Sequence, residues 1–204
     1  MANDFLYPDP YNLVIFPDNH DMTRFFTQVN NDLDLFKMGV VYYLTMRGIP
    51  QFFYGTEILM NSNKNPGDHG LIRSNFPGGW PNDQVNAFIG KGLNKDQKQT
   101  LEFFKKLLNW RKNNEVIHHG KLIQYAPKNG GWDEIYSYFR TYNNKKVWVI
   151  FNRVNRTQTI NLSRYSQVIE GYSEGFEVLE EKKIKLKDQL EIKGKSVMVI
   201  ELEP

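Results

Sequence analysis

The sequence predicts two fold classes in succession, an α/β segment followed by an all-β sandwich. The first observation is a strand, helix, strand order over residues 12–57, which is typical of a βαβ unit with parallel strands. The second is a strong helix that begins after Asn94. The third is a series of short strands with turn residues from about Lys121 onwards. We therefore expect two domains, 1–117 and 118–204.

Each element of the α/β segment follows from its apolar pattern. The continuous run 12–16 predicts a short strand that is buried on both faces. Apolar residues then recur at helical spacing from Leu33 to Met46, and Gly48 marks the expected end of that helix. Residues 51–54 predict the second strand. Two parallel strands alone do not make a stable sheet, so something else must complete it.

The rest of the chain divides into a loop, a helix and antiparallel strands. Residues 60–92 predict a long loop, and such loops are usually functional in compact domains. Asn94 and Gln97 have the spacing of a capping box at a helix start. Asn143-Asn144 predicts a two-residue hairpin turn. The predicted strands are 134–142, 145–152, 157–162, 176–179, 183–186 and 196–202.

Composition excludes several classes of protein. The chain has 204 residues, 40% of them apolar and 24% charged, as is ordinary for a globular protein. A net charge of +3 without a dense basic run argues against nucleic acid as a partner. No stretch is apolar enough for a membrane span, and the absence of cysteine excludes disulfides and thiolate metal sites.

Aromatic residues make up 14% of the chain, and two interpretations of them stay open. Flat rings stack on sugar faces, but they also fill protein cores. Tyr136, Tyr138, Trp132 and Trp148 are the candidates for stacking in the β-rich part, although strand periodicity places at least half of them in the core.

The sharpest local motif is the polar stretch that follows the first predicted strand. Asp18, Asn19, His20 and Asp21 lie at the carboxyl end of that strand, where parallel α/β barrels collect catalytic groups. Sugars need such donors and acceptors, because each buried hydroxyl must regain its hydrogen bonds. Alternatively, Asp18 and Asn19 form Asx turns or cap the next helix, and His20 is a structural histidine.

The motifs together resemble the α-amylase family (glycoside hydrolase family thirteen). Residues 16–21, with the pattern Phe-x-x-x-His-Asp, resemble the family's fourth conserved region, and 48–57 is similar to its Gly-x6-Gly-x-Glu segment. Residues 108–120 resemble the entry to its C-terminal domain. The loop 67–80 looks most like neopullulanases and cyclomaltodextrinases. These matches cover nearly the whole chain and occur in the family's order.

The resemblance implies a fold, a substrate class and an incomplete chain. The implied fold is the last two βα units of a TIM barrel followed by a small antiparallel Greek-key β-sandwich. The implied function is that of a retaining α-glucan hydrolase that degrades starch or maltooligosaccharides. The start of the sequence lacks a signal peptide and is expected to be a boundary within a longer protein, which leaves the compartment open, with an extracytoplasmic or periplasmic location favoured.

The resemblance also assigns roles to individual residues. Asp21 matches the aspartate that holds the 2- and 3-hydroxyls of the sugar being cleaved, and His20 matches a histidine that contacts the same sugar. Arg24 matches an arginine on the glycone side. Arg73 and Trp80 are candidates for the acceptor side, with loop packing as the alternative for both. Glu57 is expected to be structural, tying the last strand to its loop.

The chain departs from the family in one important respect. Retaining cleavage needs a carboxylate nucleophile and a carboxylic acid about 5 Å apart. In the family these come from barrel strands that this sequence lacks, so the chain is expected to be inactive alone. No cofactor is expected, and calcium is an open question for the longer parent. Self-association of the incomplete barrel is expected, and the alternative function is a stand-alone carbohydrate-binding module.

Overall fold

The computed structural model describes residues 3–125 and 134–202. The chain forms two compact units, one made of Met1–Gly39 and Gly48–Trp110 and the other of Val40–Arg47 and Arg111–Pro204. The helices are α1 Phe25–Gln28, α2 Leu33–Thr45, α3 His69–Ile72, α4 Lys95–Lys112, α5 Glu115–His119 and α6 Ser166–Ile169. Short 3₁₀ helices occur at Asp4–Leu6, Pro10–Asn12, Thr56–Ile58 and Leu162–Tyr165. Among the helices described, none has the length and apolar character needed to cross a membrane.

The strands confirm that parallel pairing in the first half gives way to antiparallel sheets. They are β1 Val14–Ile15, β2 Ile49–Pro50, β3 Lys121–Tyr125, β4 Ile135–Tyr142, β5 Lys145–Asn152, β6 Gln158–Asn161, β7 Glu174–Glu177, β8 Lys182–Lys185, β9 Gln189–Ile192 and β10 Ser196–Leu202. The pairing of β1 with β2 is parallel, as predicted for a βαβ unit. β3 and β9 were not among the predicted strands.

The second strand lies two residues earlier than the sequence predicts. Gly48 adopts φ 108°, and the chain then pairs at once, with Ile49 N donating to Leu13 O at 2.9 Å. In the predicted strand 51–54, Gln51 N still pairs with β1 by donating to Ile15 O at 2.9 Å, but the Phe52 ring packs against that of Phe104, with the centroids 5.2 Å apart. The aromatic run 52–54 therefore reflects side-chain packing rather than strand pairing.

The prediction that the first strand is buried on both faces is wrong. Val14 and its pairing partner Ile49 are each 52% exposed. Within the described residues the sheet has only these two strands, so one apolar surface of it has no cover.

Helices α2 and α4 form where the apolar pattern predicts them. In α2, Phe36, Val40 and Leu44 are fully buried, in agreement with the predicted stripe. At the start of α4 the capping box is formed reciprocally: Gln97 N donates to Asn94 Oδ1 at 2.9 Å, and Asn94 N donates to Gln97 Oε1 at 3.0 Å. The first turn of α4 is thus fixed by its own side chains.

The unit made of Val40–Arg47 and Arg111–Pro204, called the β-rich unit below, contains two antiparallel sheets that share one core. The larger sheet has the order β3-β4-β5-β10-β7-β8, and the smaller pairs β6 with β9. Buried side chains of both sheets form one hydrophobic cluster, in which Phe139 stacks on Trp148 at 5.0 Å while Ile160 and Ile192 come from the smaller sheet. At the predicted hairpin turn Asn143 adopts φ 52°, as Asn-rich turns allow.

Candidate functional site

The loop after β1 divides its polar residues between structural and exposed positions. Asp18 is fully buried and accepts a hydrogen bond from Phe25 N at 2.8 Å, which caps the start of α1. Asn19 Oδ1 accepts from Asp21 N at 2.8 Å, forming an Asx turn. The structural interpretation therefore holds for Asp18 and Asn19. The side chains of His20 and Asp21, in contrast, are 65% and 58% exposed to solvent.

Arg24 lies beneath this loop and does not reach solvent. Its guanidinium donates to the Tyr54 carbonyl and lies over the Phe53 ring, 4.2 Å from the centroid. Burial lowers the pKa of Arg24 and raises the pKa of the nearby Asp18 carboxyl. The role on the glycone side that the resemblance assigns to Arg24 remains a prediction. Because its guanidinium is fully buried, Arg24 supports the loop from inside.

A short helix in the long loop brings a second set of side chains towards Asp21. Asp68 caps α3 by accepting from Gly70 N at 2.7 Å and Leu71 N at 3.1 Å. The loop is joined to the segment after β1 by Thr23 Oγ1, which donates to Pro66 O at 3.0 Å. As a result His69, the first residue of α3, and Arg73, its C-cap residue, both face the exposed carboxylate of Asp21.

Four side chains form the Asp21 cluster: His20, Asp21, His69 and Arg73. Arg73 NH2 donates to Asp21 Oδ1 at 2.7 Å, and Arg73 Nε donates to the His20 carbonyl at 2.9 Å. His20 Nε2 lies 3.1 Å from Asp21 Oδ2, and His69 Nδ1 lies 3.7 Å from Oδ1. The cluster therefore unites three residues that the sequence singled out, His20, Asp21 and Arg73, with one that it did not.

The cluster can bind hydroxyl groups but contains a single carboxylate. Asp21 Oδ1 faces Arg73 and His69, and Oδ2 faces His20. Both oxygens keep acceptor capacity, since a carboxylate offers about four lone-pair positions. Arg73 and the imidazoles supply donors beside it. This is the chemistry that recognises adjacent hydroxyls of a sugar. Among the described residues, no group of three or more His, Asp or Glu side chains is arranged to hold a metal ion.

Trp80 stands apart from the cluster on a separately braced loop. Asp83 accepts from Gly78 N at 2.7 Å and from Trp80 N at 3.1 Å, and the Trp80 side chain is left 62% exposed. None of the described contacts joins Trp80 to Asp21. Its predicted role on the acceptor side remains a prediction.

Glu57 lies in a partly buried position near the buried Arg24. Burial raises the pKa of Glu57, while hydrogen bonds from the backbone amides of Gly55 and Glu57 itself act in the opposite direction. This environment fits the structural role expected for Glu57 at the turn after β2.

Two of the four aromatic candidates in the β-rich unit are core residues. Tyr138 and Trp148 are fully buried, and Tyr138 shares a hydrogen bond of 2.6 Å with the Thr45 hydroxyl. Tyr136 is partly buried and accepts from Gln124 Nε2 at 2.7 Å. Trp132 lies outside the described residues. The prediction that at least half of this set is core is confirmed.

Sequence reasoning missed His69 because it assigned the surrounding residues to a loop without helices. The available signal was local: Asp68 is a favoured N-cap residue, and His69 precedes Arg73 by four positions, one helical turn.

Comparison with known proteins gives matches to both halves of the chain. Residues 122–201 match the family model of the cyclomaltodextrinase C-terminal domain. The maltogenic α-amylase of Bacillus acidopullulyticus is 25% identical over 160 residues, which are 78% of this chain and 24% of that protein. The cyclomaltodextrinase of Thermoanaerobacter pseudethanolicus is 26% identical over 158 residues, 76% of this chain and 24% of that protein. The chain thus spans about a quarter of the length of these curated relatives.

A solved structure reproduces the fold of the chain. The α-amylase of Geobacillus thermoleovorans in complex with acarbose superposes with a TM-score of 0.75 at 22% identity. The match covers 100% of this chain and 41% of that one. The mixed helix and sheet architecture, with its β-rich C-terminal part, is therefore shared with that structure.

Proposed function

Because this chain belongs to the α-amylase family of glycoside hydrolases, we propose that it is the C-terminal portion of a retaining α-glucan hydrolase. The substrate class is starch or maltooligosaccharides, in keeping with relatives named maltogenic α-amylase and cyclomaltodextrinase. The carrying observation is the Asp21 cluster, which gathers exposed hydrogen-bonding groups around one carboxylate at the end of a parallel strand.

In this proposal residues 1–117 are the last two βα units of a TIM barrel. The parallel pairing of Val14 with Ile49 supports this, because parallel strands are normally covered on both faces by other elements. The exposure of both side chains is what a barrel fragment without its neighbouring strands should show. Residues 118–204 are the C-terminal Greek-key β-sandwich of the parent, and its two antiparallel sheets with one shared core support that assignment.

Asp21 acts in this proposal by binding the sugar rather than by attacking it. Its two oxygens accept hydrogen bonds from the 2- and 3-hydroxyls of the sugar that is cleaved, and His20 and Arg73 donate to the same region. Hydrogen bonds to the 2-hydroxyl strengthen in the oxocarbenium-like transition state, so the cluster favours that state over the ground state.

The chain alone is proposed to be inactive. Retaining hydrolysis needs two carboxyl groups about 5 Å apart, one as nucleophile and one as acid. The Asp21 cluster has one, and the nearby Asp18 and Asp68 are already occupied by backbone amides. The parent is proposed to supply both catalytic carboxylates from other strands of its barrel.

The test uses the reading frame that contains this chain at its native locus, which the proposal expects to be longer than 204 residues. We expect that frame to encode strand-end Asp and Glu residues upstream, and the full-length product to hydrolyse maltoheptaose. There Asp21→Asn should lower kcat/KM by about two to three orders of magnitude, as for loss of one transition-state hydrogen-bonding group. Asp188→Asn, an exposed residue of the β-rich unit, is the matched control and should have little effect.

Two results would overturn the proposal. One is a full-length product in which Asp21→Asn leaves maltoheptaose hydrolysis intact. The other is a native gene that encodes only these 204 residues, together with maltooligosaccharide binding by the chain, which would favour a carbohydrate-binding module.

A further inference from the structure

We infer that His69 is a positioning residue, whose neutral imidazole holds the Arg73 guanidinium on Asp21. Arg73 NH2 lies 2.9 Å from His69 Nδ1 and 2.7 Å from Asp21 Oδ1. The geometry of this contact is independent of the proposed function. Its consequence for sugar binding rests on that function, because Asp21 and Arg73 are the groups proposed to bind hydroxyls.

The hydrogen bond with Arg73 determines the protonation state and the tautomer of His69. A guanidinium has five N–H donors, no acceptor, and stays charged at all ordinary pH values. A hydrogen bond between Arg73 NH2 and His69 Nδ1 therefore requires a lone pair on Nδ1. His69 must then be neutral, with its proton on Nε2.

Arg73 is fixed at three of its five donors. The two hydrogens of NH2 have one acceptor each, Asp21 Oδ1 and His69 Nδ1, and Nε donates to the His20 carbonyl at 2.9 Å. Without His69 one hydrogen of NH2 would turn to solvent and the guanidinium could rotate away from the carboxylate. The remaining nitrogen, NH1, is left to donate to a ligand.

Helix α3 and its N-cap also position His69. It is the first residue of α3, one helical turn before Arg73, and the Asp68 carboxylate that caps this helix is already bound to Gly70 N and Leu71 N. The charged groups that face His69 are therefore Arg73 and Asp21, with His20 on the far oxygen of Asp21.

Protonation of His69 should rearrange the cluster. A proton on Nδ1 removes the acceptor for Arg73 and sets two positive groups 2.9 Å apart, while the imidazolium is drawn to Asp21 at 3.7 Å. The protonated histidine then competes with Arg73 for the same carboxylate oxygen.

The experiment uses nitrogen-15 NMR on the intact chain, without any sugar. Protection of the Arg73 Nε–H against solvent exchange is measured relative to free arginine at the same pH, with Arg73→Lys to assign the signal. His69→Ala should reduce this protection roughly fivefold, as for the loss of one hydrogen bond. His69→Asn keeps an acceptor oxygen and should restore the protection. His118→Ala, an exposed histidine of the β-rich unit, is the control and should change nothing.

The imidazole signals of the wild type supply a readout that needs no variant. We expect the neutral His69 imidazole to carry its proton on Nε2, as the hydrogen bond from Arg73 to Nδ1 requires. A proton on Nδ1 at neutral pH, unchanged protection in His69→Ala, or failure of Asn to restore it would each overturn the inference. A separate titration with maltotriose tests the proposed function, and its failure would leave the positioning of Arg73 by His69 intact.

Discussion

At the scale of single residues, burial rather than residue type decides which polar groups are available for binding. Asp18 and Asp21 are three positions apart, yet the first is fully buried as a helix cap and the second is exposed. Arg24 and Arg73 differ in the same way. The sequence identified all four residues, but the accessibility that separates them depends on contacts with distant loops, which a local pattern does not record.

The buried carboxyl of Asp18 should make stability depend on pH. Burial raises the pKa of Asp18 in the folded state, so folding favours the protonated form. Its contribution to stability is then complete below the unfolded pKa and declines as pH rises through the folded pKa. Asp18→Asn keeps an acceptor for Phe25 N but cannot titrate.

Urea unfolding of wild type and Asp18→Asn over a pH series measures this contribution. The wild-type free energy of unfolding minus that of Asp18→Asn should fall as pH increases. Asp188→Asn, which removes one exposed negative charge, controls for general charge effects. If the difference in free energy of unfolding between the wild type and Asp18→Asn is constant with pH, burial does not raise the pKa of Asp18.

At the scale of elements, the sequence predicts secondary structure best where neighbouring residues alone determine it. The capping box of α4 needs only Asn94 and Gln97 and formed as expected. The position of β2 was missed because aromatic residues 52–54 look like a strand, whereas Phe53 and Tyr54 instead flank the Arg24 guanidinium. Strand position depends on a distant partner, which local pattern does not specify.

The N-cap of α4 should contribute measurably to stability. Asn94→Ala removes the acceptor for Gln97 N and should lower the free energy of unfolding by about 1 kcal/mol. Asn94→Ser retains a capping oxygen and should lower it much less. Thermal or urea unfolding of the three proteins checks this, and equal stability of the Ala and Ser variants would contradict it.

Arg140 of β4 should be a larger determinant of stability in the β-rich unit. It is buried and donates to three backbone carbonyls, to Thr45 O at 3.0 Å and to Ile117 O and Gly120 O at 2.9 Å each. Arg140→Met leaves these acceptors buried without their donors and should cost about 3 kcal/mol.

The measurement is urea unfolding followed by near-ultraviolet circular dichroism, which reports on the packed aromatic core. Arg140→Lys is the informative companion, since an ammonium keeps the charge but cannot reproduce the planar fork of donors. It should also destabilise the protein. Stability of Arg140→Met equal to that of the wild type would show that the three carbonyls do not depend on Arg140.

At the scale of the whole molecule, the uncovered sheet of β1 and β2 is the feature with the clearest consequence. An exposed pair of apolar strands offers both side chains and unpaired backbone groups to another chain. We expect the chain to self-associate as its concentration rises. Val14→Lys combined with Ile49→Lys should reduce this association, whereas Leu108→Lys, an exposed apolar residue of α4, should not.

Sedimentation velocity over a concentration series distinguishes these outcomes. A wild-type chain that stays monomeric at every concentration would contradict the expectation, and so would equal association of the two lysine variants. The resemblance to the α-amylase family predicted self-association, because the barrel strands that would cover this sheet are not in the sequence. The exposure of Val14 and Ile49 supplies the surface through which it would act.

The most direct test of function is the release of reducing ends from maltoheptaose by the intact 204-residue chain. The Asp21 cluster holds one carboxylate where retaining cleavage needs two, so no release above the buffer rate is predicted even at high protein concentration. Release of reducing ends that Asp21→Asn abolishes would contradict this, because the chain would then contain a complete catalytic site of its own.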